Sequence, residues 1–249
     1  MAHVHGDADI AQLAAVIADP RRARILLALG DGRALPASLL GAEAGVAAST
    51  ASEHLRKLVA ARLVDVHPQG RHRYYRLHGP EVGALLESLA RLAPPVEVRS
   101  LKQGTRAEAL RRARTCYDHL AGRLGVSIFA SLLDAGALTG GDGIHHLDRP
   151  GKDRLSAHGR DIAYRLTRQG RRSLDELGVE LPPAEADGTT PVRYCVDWTE
   201  QRHHLSGAAG RALTARLFEL AWLERDACSR AVLVTEPGRR GLRRAFGVA

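Results

Sequence analysis

Thiols, imidazoles and carboxylates gather at two places in this sequence. Cys116, Asp118 and His119 form one group; Cys195, Asp197, His203 and His204 form the other. These are the donor types that thiophilic and borderline divalent metals such as zinc or cadmium accept. Cys116 and His119, three apart, would share one face of a helix, whereas the neighbours Asp118 and His119 would converge less readily. One Cys and one His from each group, facing each other across an approximate two-fold, would make a tetrahedral set. The plainer reading, which the sequence by itself favours, has the thiols as small buried hydrophobes and the Asp and His in helix caps or bridging hydrogen bonds. A third reading is a small-molecule pocket lined by Tyr117, Tyr164, Trp198, Phe218 and Trp222. An enzyme with Cys116 as nucleophile and His119 as base is disfavoured, because no oxyanion cradle or Gly-rich phosphate loop accompanies the pair. The expectation is therefore no enzyme and no cofactor that these residues require, with zinc or cadmium the candidate metal.

Both groups open what reads as an internal duplication. The first copy begins Cys116–Gly125, continues through Leu132–Gly136 and closes with Tyr164–Leu174; the second begins Cys195–Trp198, continues through His204–Gly210 and closes with Val232–Leu242. Each copy reads as two helices, then a strand turning through Gly into a short helix, like a degenerate winged helix. Chance similarity in an Ala/Leu/Gly/Arg-rich chain is the competing account. Gly141-Asp142-Gly143 and Pro182-Pro183 read as loops, His145-His146 with Asp148 as a solvated loop, and Cys228 as core.

Earlier in the chain, Val46–Leu63 is amphipathic at helical spacing. Ala51, Leu55, Leu58 and Val59 make one side apolar. Ser49, Thr50, Ser52, Glu53, Arg56 and Lys57 occupy the other. Small polar groups suit base edges and cations suit phosphates, so this helix is shaped to enter a major groove. Leu35–Ala44 reads as a short helix before it, with Gly45-Val46 as the turn. Leu63–His67, the Pro68-Gln69-Gly70-Arg71 turn and His72–Leu77 read as a basic β-hairpin after it. Helix, turn, helix and hairpin follow the winged-helix order. Base contacts are expected from Ser49, Thr50, Ser52 and His54, with Glu53 accepting from a cytosine amino group; Arg56, Lys57, Arg71 and Arg73 would meet phosphate. Thr50 with Glu53 is expected to cap the helix one turn late.

Flanking helices complete this part. Asp7–Ala18 carries Ile10, Leu13, Ala14 and Ile17 on one face, and Asp19 caps a second helix that opens at Pro20 and ends by Gly30-Asp31-Gly32. Gly79-Pro80 restarts a helix through Arg91, striped by Val82, Leu85, Leu86 and Leu89, and Pro94-Pro95 breaks it. Arg99–Arg114, with Arg99, Lys102, Arg106, Arg111, Arg112 and Arg114, either lines a duplex flank or is a solvated linker. Met1–Gly6, with His3 and His5, reads as a flexible start.

Asp19-Pro20-Arg21-Arg22-Ala23-Arg24-Ile25-Leu26-Leu27-Ala28-Leu29, then Ser49-Thr50-Ala51-Ser52-Glu53-His54-Leu55-Arg56-Lys57-Leu58 and the hairpin, resemble the ArsR/SmtB family of bacterial repressors over about the first 95 residues. The resemblance implies a homodimeric winged-helix repressor, released from a double-stranded DNA operator by an effector that is often a metal ion, with the helix after the wing pairing against the first helix of a second subunit. It carries over no metal site. Leu39-Leu40-Gly41-Ala42 stand where that family places a Cys pair, and Glu81–Arg91 lacks the His of its other site.

Composition agrees. With 249 residues, three Cys and a formal net charge of +8, the chain suits a polyanionic partner and a reducing cytoplasm rather than a disulfide scaffold. No apolar run approaches the roughly 20 residues of a spanning helix, and no signal-peptide pattern is present, so no membrane partner is expected. The expected fold is mainly α with small β-hairpin wings (α+β): a winged helix-turn-helix over residues 1–95, a basic linker helix over 96–115, and two degenerate winged-helix-like repeats, 116–181 and 190–249, serving as sensor or assembly region.

Overall fold

The computed structural model describes residues 8–30, 32–69, 72–94, 101–146, 162–226 and 229–248. The readings placed on His3, His5, Asp31, Arg71, Arg99, Asp148 and Cys228 lie outside the described residues. The chain forms two compact units, Met1–Leu86 and Glu87–Ala249.

In the first unit, Asp9 caps α1 (Ile10–Ile17) by accepting from the Gln12 N–H. Asp19 caps α2 (Pro20–Ala28), accepting from the N–H groups of Arg21 and Arg22. β1 (Leu35–Pro36) comes next, where a helix start was expected. Pro36 disfavours helical geometry at Leu35, and the extended pair adds to a hairpin, Leu35 opposite Tyr75. α3 (Ala37–Ala44) ends at Gly45, whose φ of +69° makes the turn into α4 (Ala48–Ala60). The start of α4 differs from expectation: Ala47 is its cap without a side-chain hydrogen bond, and Thr50 lies inside the helix. β2 (Val64–Gln69) and β3 (His72–Leu77) form the hairpin, giving sheet order β1-β3-β2. Ile25, Leu26, Leu29, Leu40, Ala51, Leu55, Leu58, Tyr75 and Leu77 are buried together as this unit's core. The fold is a winged helix-turn-helix.

The division between units falls inside α5 (Pro80–Leu92). α6 (Leu101–Arg112) then leads into β4 (Arg114–Cys116), β5 (His119–Ala121), α7 (Gly122–Asp134), β6 (Leu138–Thr139), β7 (Tyr164–Leu166) and α8 (Arg168–Glu176). The same order returns in β8 (Thr190–Val196), β9 (His203–Ser206), α9 (Gly207–Glu219), β10 (Leu223–Arg225), β11 (Val232–Val234) and α10 (Glu236–Phe246). Each segment is hairpin, helix, hairpin, helix. The leading helix expected in each copy is a hairpin instead, because the chain reverses at Tyr117 (φ +57°) in the first and runs extended over Thr190–Val196 in the second. Thr167 and Thr235 cap α8 and α10 alike, accepting from Gly170 and Gly238 N–H. One core joins both segments, with Phe129, Leu132 and Tyr164 from the first against Leu205, Leu213 and Leu217 from the second.

Among the described residues, helices and small antiparallel sheets alternate as an α+β fold, and no helix is long and apolar enough to cross a membrane.

Candidate metal centre and nucleic-acid interface

Cross-strand register assembles the second unit's site. In β4–β5 Cys116 stands directly opposite His119; in β8–β9 Cys195 stands directly opposite His204. Opposed residues of an antiparallel pair project from the same face, so each hairpin offers one thiol and one imidazole. The two hairpins meet. One ligand atom from each of Cys116, His119, Cys195 and His204 lies within 4.8 Å of all the others. The His119 and His204 rings stack, their centroids 5.1 Å apart.

The meeting is reciprocal. A Cβ built on Gly125 would lie 3.6 Å from His204 Cβ, and one on Gly210 would lie 3.2 Å from His119 Cβ. Each glycine is required by the carbonyl of its own preceding strand, Leu120 O at 2.6 Å from a Cβ on Gly125 and Leu205 O at 2.5 Å from one on Gly210, and each also lies beside the histidine of the other hairpin. Strands exchange in the same way: β7 pairs with β8, Tyr164 opposite Val192, while Arg114 of β4 bridges to Ala231 beside β11. Equivalent residues contacting one another both ways is the mark of an isologous pair.

Three of the four residues are buried and Cys195 is half-buried. Cys116 is 3 % exposed, His119 7 % and His204 0 %. His119 Nε2 and both ring nitrogens of His204 lack a hydrogen-bond partner, a costly condition in a protein interior. The neighbouring sulfur and burial push the Cys116 thiol up. The Cys116 thiol and the two imidazoles hold Cys195 well below its ordinary value. Burial alone would lower His119, but the Asp118 carboxylate and Cys195 outweigh it and raise His119 to about 9.

The carboxylates stay outside the cluster. Asp118 Oδ1 lies 3.1 Å from His119 Nδ1, so it orients that ring and leaves Nε2 facing away. Asp197, expected among the ligands, is fully buried against Arg114 at 2.9 Å and accepts from the Gly122 N–H at 2.7 Å. Burial would raise Asp197, yet Arg114, His204, Thr199 and the Gly122 N–H bring it down to about 2. Arg114 is thereby removed from the basic stripe proposed for a duplex flank. His203, next along β9, points to the other side and shares a 2.9 Å hydrogen bond with the Tyr164 hydroxyl. His146 pairs with Asp142 in the loop. Four of the five aromatics proposed for one pocket have separate surroundings. Tyr164 is core, Trp198 lies under Arg114, Phe218 lies under Arg225, and Trp222 covers Gly241.

One contact escaped the sequence. Glu87 on α5 and Arg230 form a buried ion pair at 2.6 Å, and the Arg230 carbonyl accepts from the Thr115 N–H, one residue before Cys116. No spacing signal links positions 143 residues apart.

In the first unit, α4 buries Ala51, Leu55 and Leu58 and exposes Ser49, Thr50, Ser52, Glu53, Arg56 and Lys57. Ser52 Oγ donates to the Ala48 carbonyl, and Glu53 pairs with Lys57 at 3.0 Å, which lowers its carboxyl. His54, expected among the base readers, turns inward instead, with its Nδ1 4.0 Å from Asp19 and its side chain 12 % exposed. The 3.6-residue repeat places it between the buried stripe and the exposed face. Arg73 is exposed on β3.

Residues 17–67 match the family described as "Helix-turn-helix domain". The chain is 36 % identical over 231 residues to the HTH-type transcriptional regulator YdfF of Bacillus subtilis (strain 168), covering 93 % of this chain and 94 % of that one. Among solved structures it is similar to HlyU from Vibrio cholerae N16961, 32 % identical with a TM-score of 0.31 over 33 % of this chain and 88 % of that one. It is also similar to the cadmium metal-sensor CMTR from Mycobacterium tuberculosis, 34 % identical with a TM-score of 0.28 over 36 % of this chain and all of that one.

Proposed function

This chain belongs to the helix-turn-helix transcriptional regulators, and from that premise we propose that it is a homodimeric repressor of the ArsR/SmtB kind whose operator affinity is set by an effector held in its second unit. The observation that carries the DNA-binding reading is the face of α4. Its apolar stripe is spent on the core, leaving small hydroxyls on its first turns and two cations further along, all exposed. Ser49, Thr50 and Ser52 read base edges, Glu53 accepts from a cytosine amino group, and Arg56, Lys57 and Arg73 grip phosphate. Arg71 is assigned to phosphate from the sequence alone.

Dimerisation is supported by α1, which buries none of its residues and leaves Ile10 74 % exposed, and by Leu89 and Leu92 exposed on α5. These are the helices that the family resemblance pairs across subunits. The effector reading rests on the buried Cys/His cluster, whose role is to bind rather than to catalyse.

The test uses duplexes selected by the full chain from a random pool. Ser52→Ala should relax sequence preference by at least about 1 kcal/mol at one position. Arg73→Ala should weaken all sequences evenly and reduce the salt slope by about 1. If Ser52→Ala binds every selected duplex like the parent chain, the base-reading assignment is wrong.

A further inference from the structure

We propose that Cys116, His119, Cys195 and His204 form a closed, four-coordinate site for one thiophilic divalent cation of the zinc and cadmium class, each repeat of the second unit supplying one thiolate and one imidazole. The inference rests on reading that unit as the effector half and names its ligand.

Three observations converge. First, the donor set is right. Two thiols and two imidazoles, without a carboxylate among them, suit tetrahedral d10 metals and not magnesium or calcium. Second, the spacing is right. Bonds of about 2.0–2.3 Å put tetrahedral ligand atoms roughly 3.3–3.8 Å apart, and all four atoms already lie within 4.8 Å of one another. Closure needs a contraction on the order of 1 Å. Third, nitrogens that a metal would satisfy are orphaned. His119 Nε2 and the two nitrogens of His204 are buried without a partner.

The surroundings are built for such a ligand. Asp118 engages His119 Nδ1 at 3.1 Å, so Nε2 is the nitrogen left to a metal. Because each repeat supplies one thiol and one imidazole from its opening hairpin, neither repeat can complete the site alone. Binding requires deprotonated thiolate and imidazole donors, so whatever protons those ligands carry are released to solvent.

Full-length protein, stripped with chelator and kept reduced, is titrated with cadmium and with zinc, magnesium serving as control. The expected uptake is one cadmium or zinc per chain and no magnesium. Cys116→Ser and Cys195→Ser should each weaken cadmium binding more than about 100-fold, while circular dichroism stays that of the parent. Cobalt(II) loaded into the unmodified chain should give a tetrahedral spectrum with sulfur-to-metal charge transfer, a reading independent of whether the variants fold. The proposal is overturned if the unmodified chain takes up no metal, if both serine variants bind like the parent, or if cobalt is octahedral. Operator binding in the same samples separates the two readings. One bound cadmium per chain with unchanged operator affinity upholds the site and refutes its role as effector seat. Operator binding by a chain that takes up no metal refutes the site and leaves DNA recognition standing.

Discussion

Replacing Arg114 with Met tests how the two repeats are locked together. Arg114 and Asp197 are each 0 % exposed and 2.9 Å apart. Asp197 accepts five hydrogen bonds: from Arg114 and the Gly122 N–H on Oδ2, and from Thr199 N–H, Thr199 Oγ1–H and Glu200 N–H on Oδ1. The Met variant deletes the counter-charge and leaves the carboxylate buried. Breaking such a pair from one side costs about 3–5 kcal/mol. Four of the five hydrogen bonds survive, which argues for the lower end, while loss of the guanidinium stacked 4.8 Å over Trp198 adds about 0.5–1 kcal/mol. A cost of about 3–4 kcal/mol lowers Tm by about 10 °C in a unit of this size. Urea unfolding of chelator-treated protein, followed by tryptophan fluorescence and circular dichroism, measures it. Arg114→Met/Asp197→Leu should recover only part of the loss, since the Gly122 and Glu200 N–H groups then lose their acceptor. A single-variant cost under about 1 kcal/mol would refute the assignment of this pair as the lock.

Three further outcomes are expected. Asp118→Ala should weaken cadmium binding about 10–100-fold without changing its stoichiometry, because the ring it orients is a ligand and it is not; equilibrium dialysis reads both quantities. Arg230→Gln should leave metal uptake intact and remove the response of operator affinity to it, since Arg230 joins the strand bearing Cys116 to Glu87 on α5; anisotropy with and without cadmium shows this. Asp19→Ala should cost the first unit about 1 kcal/mol as a lost cap. The N–H groups of Arg22 and Arg21 hold the Asp19 carboxyl below its ordinary value. Its contribution is therefore complete above about pH 4 and disappears as pH falls through the lower folded value; acid titration of parent and variant should converge there.

The N-terminal fold was legible because its signals are local. Asp19-Pro20 announces α2, Gly45 the turn, and the apolar repeat of Ala51, Leu55 and Leu58 fixes which side of α4 faces inward. Leu35-Pro36 misled because its partner, β3, lies some 40 residues on and strand pairing overrode the helical pattern. The Cys and His positions were legible as residue types, and their convergence across a two-fold follows from the duplication. Their local geometry was not. A three-residue separation fits one helix face and a tight hairpin equally, and only the left-handed Tyr117 decides between them. Asp197 was misassigned because nothing near it in sequence shows that Arg114 would be brought beside it. The inward turn of His54 depends on where Asp19 lies and is equally invisible to spacing.

Duplication has a consequence for where an effector can sit. In the first unit α3 offers Leu39, Leu40, Gly41 and Ala42, none of them a metal ligand, and Leu40 and Gly41 are consumed by packing. Two hairpins that each project one thiol and one imidazole become a four-donor centre only where they face each other, and each loses half the donors if they separate. Metal affinity is then affinity for the closed arrangement of the repeats, so the ion's binding free energy acts on their association by mass action. The arrangement it favours includes the β4 strand, through which Thr115 holds Arg230 and Arg230 holds the buried end of Glu87. An ion shifts only an equilibrium between states that it binds unequally, and a site divided between the repeats is complete only while they are held together.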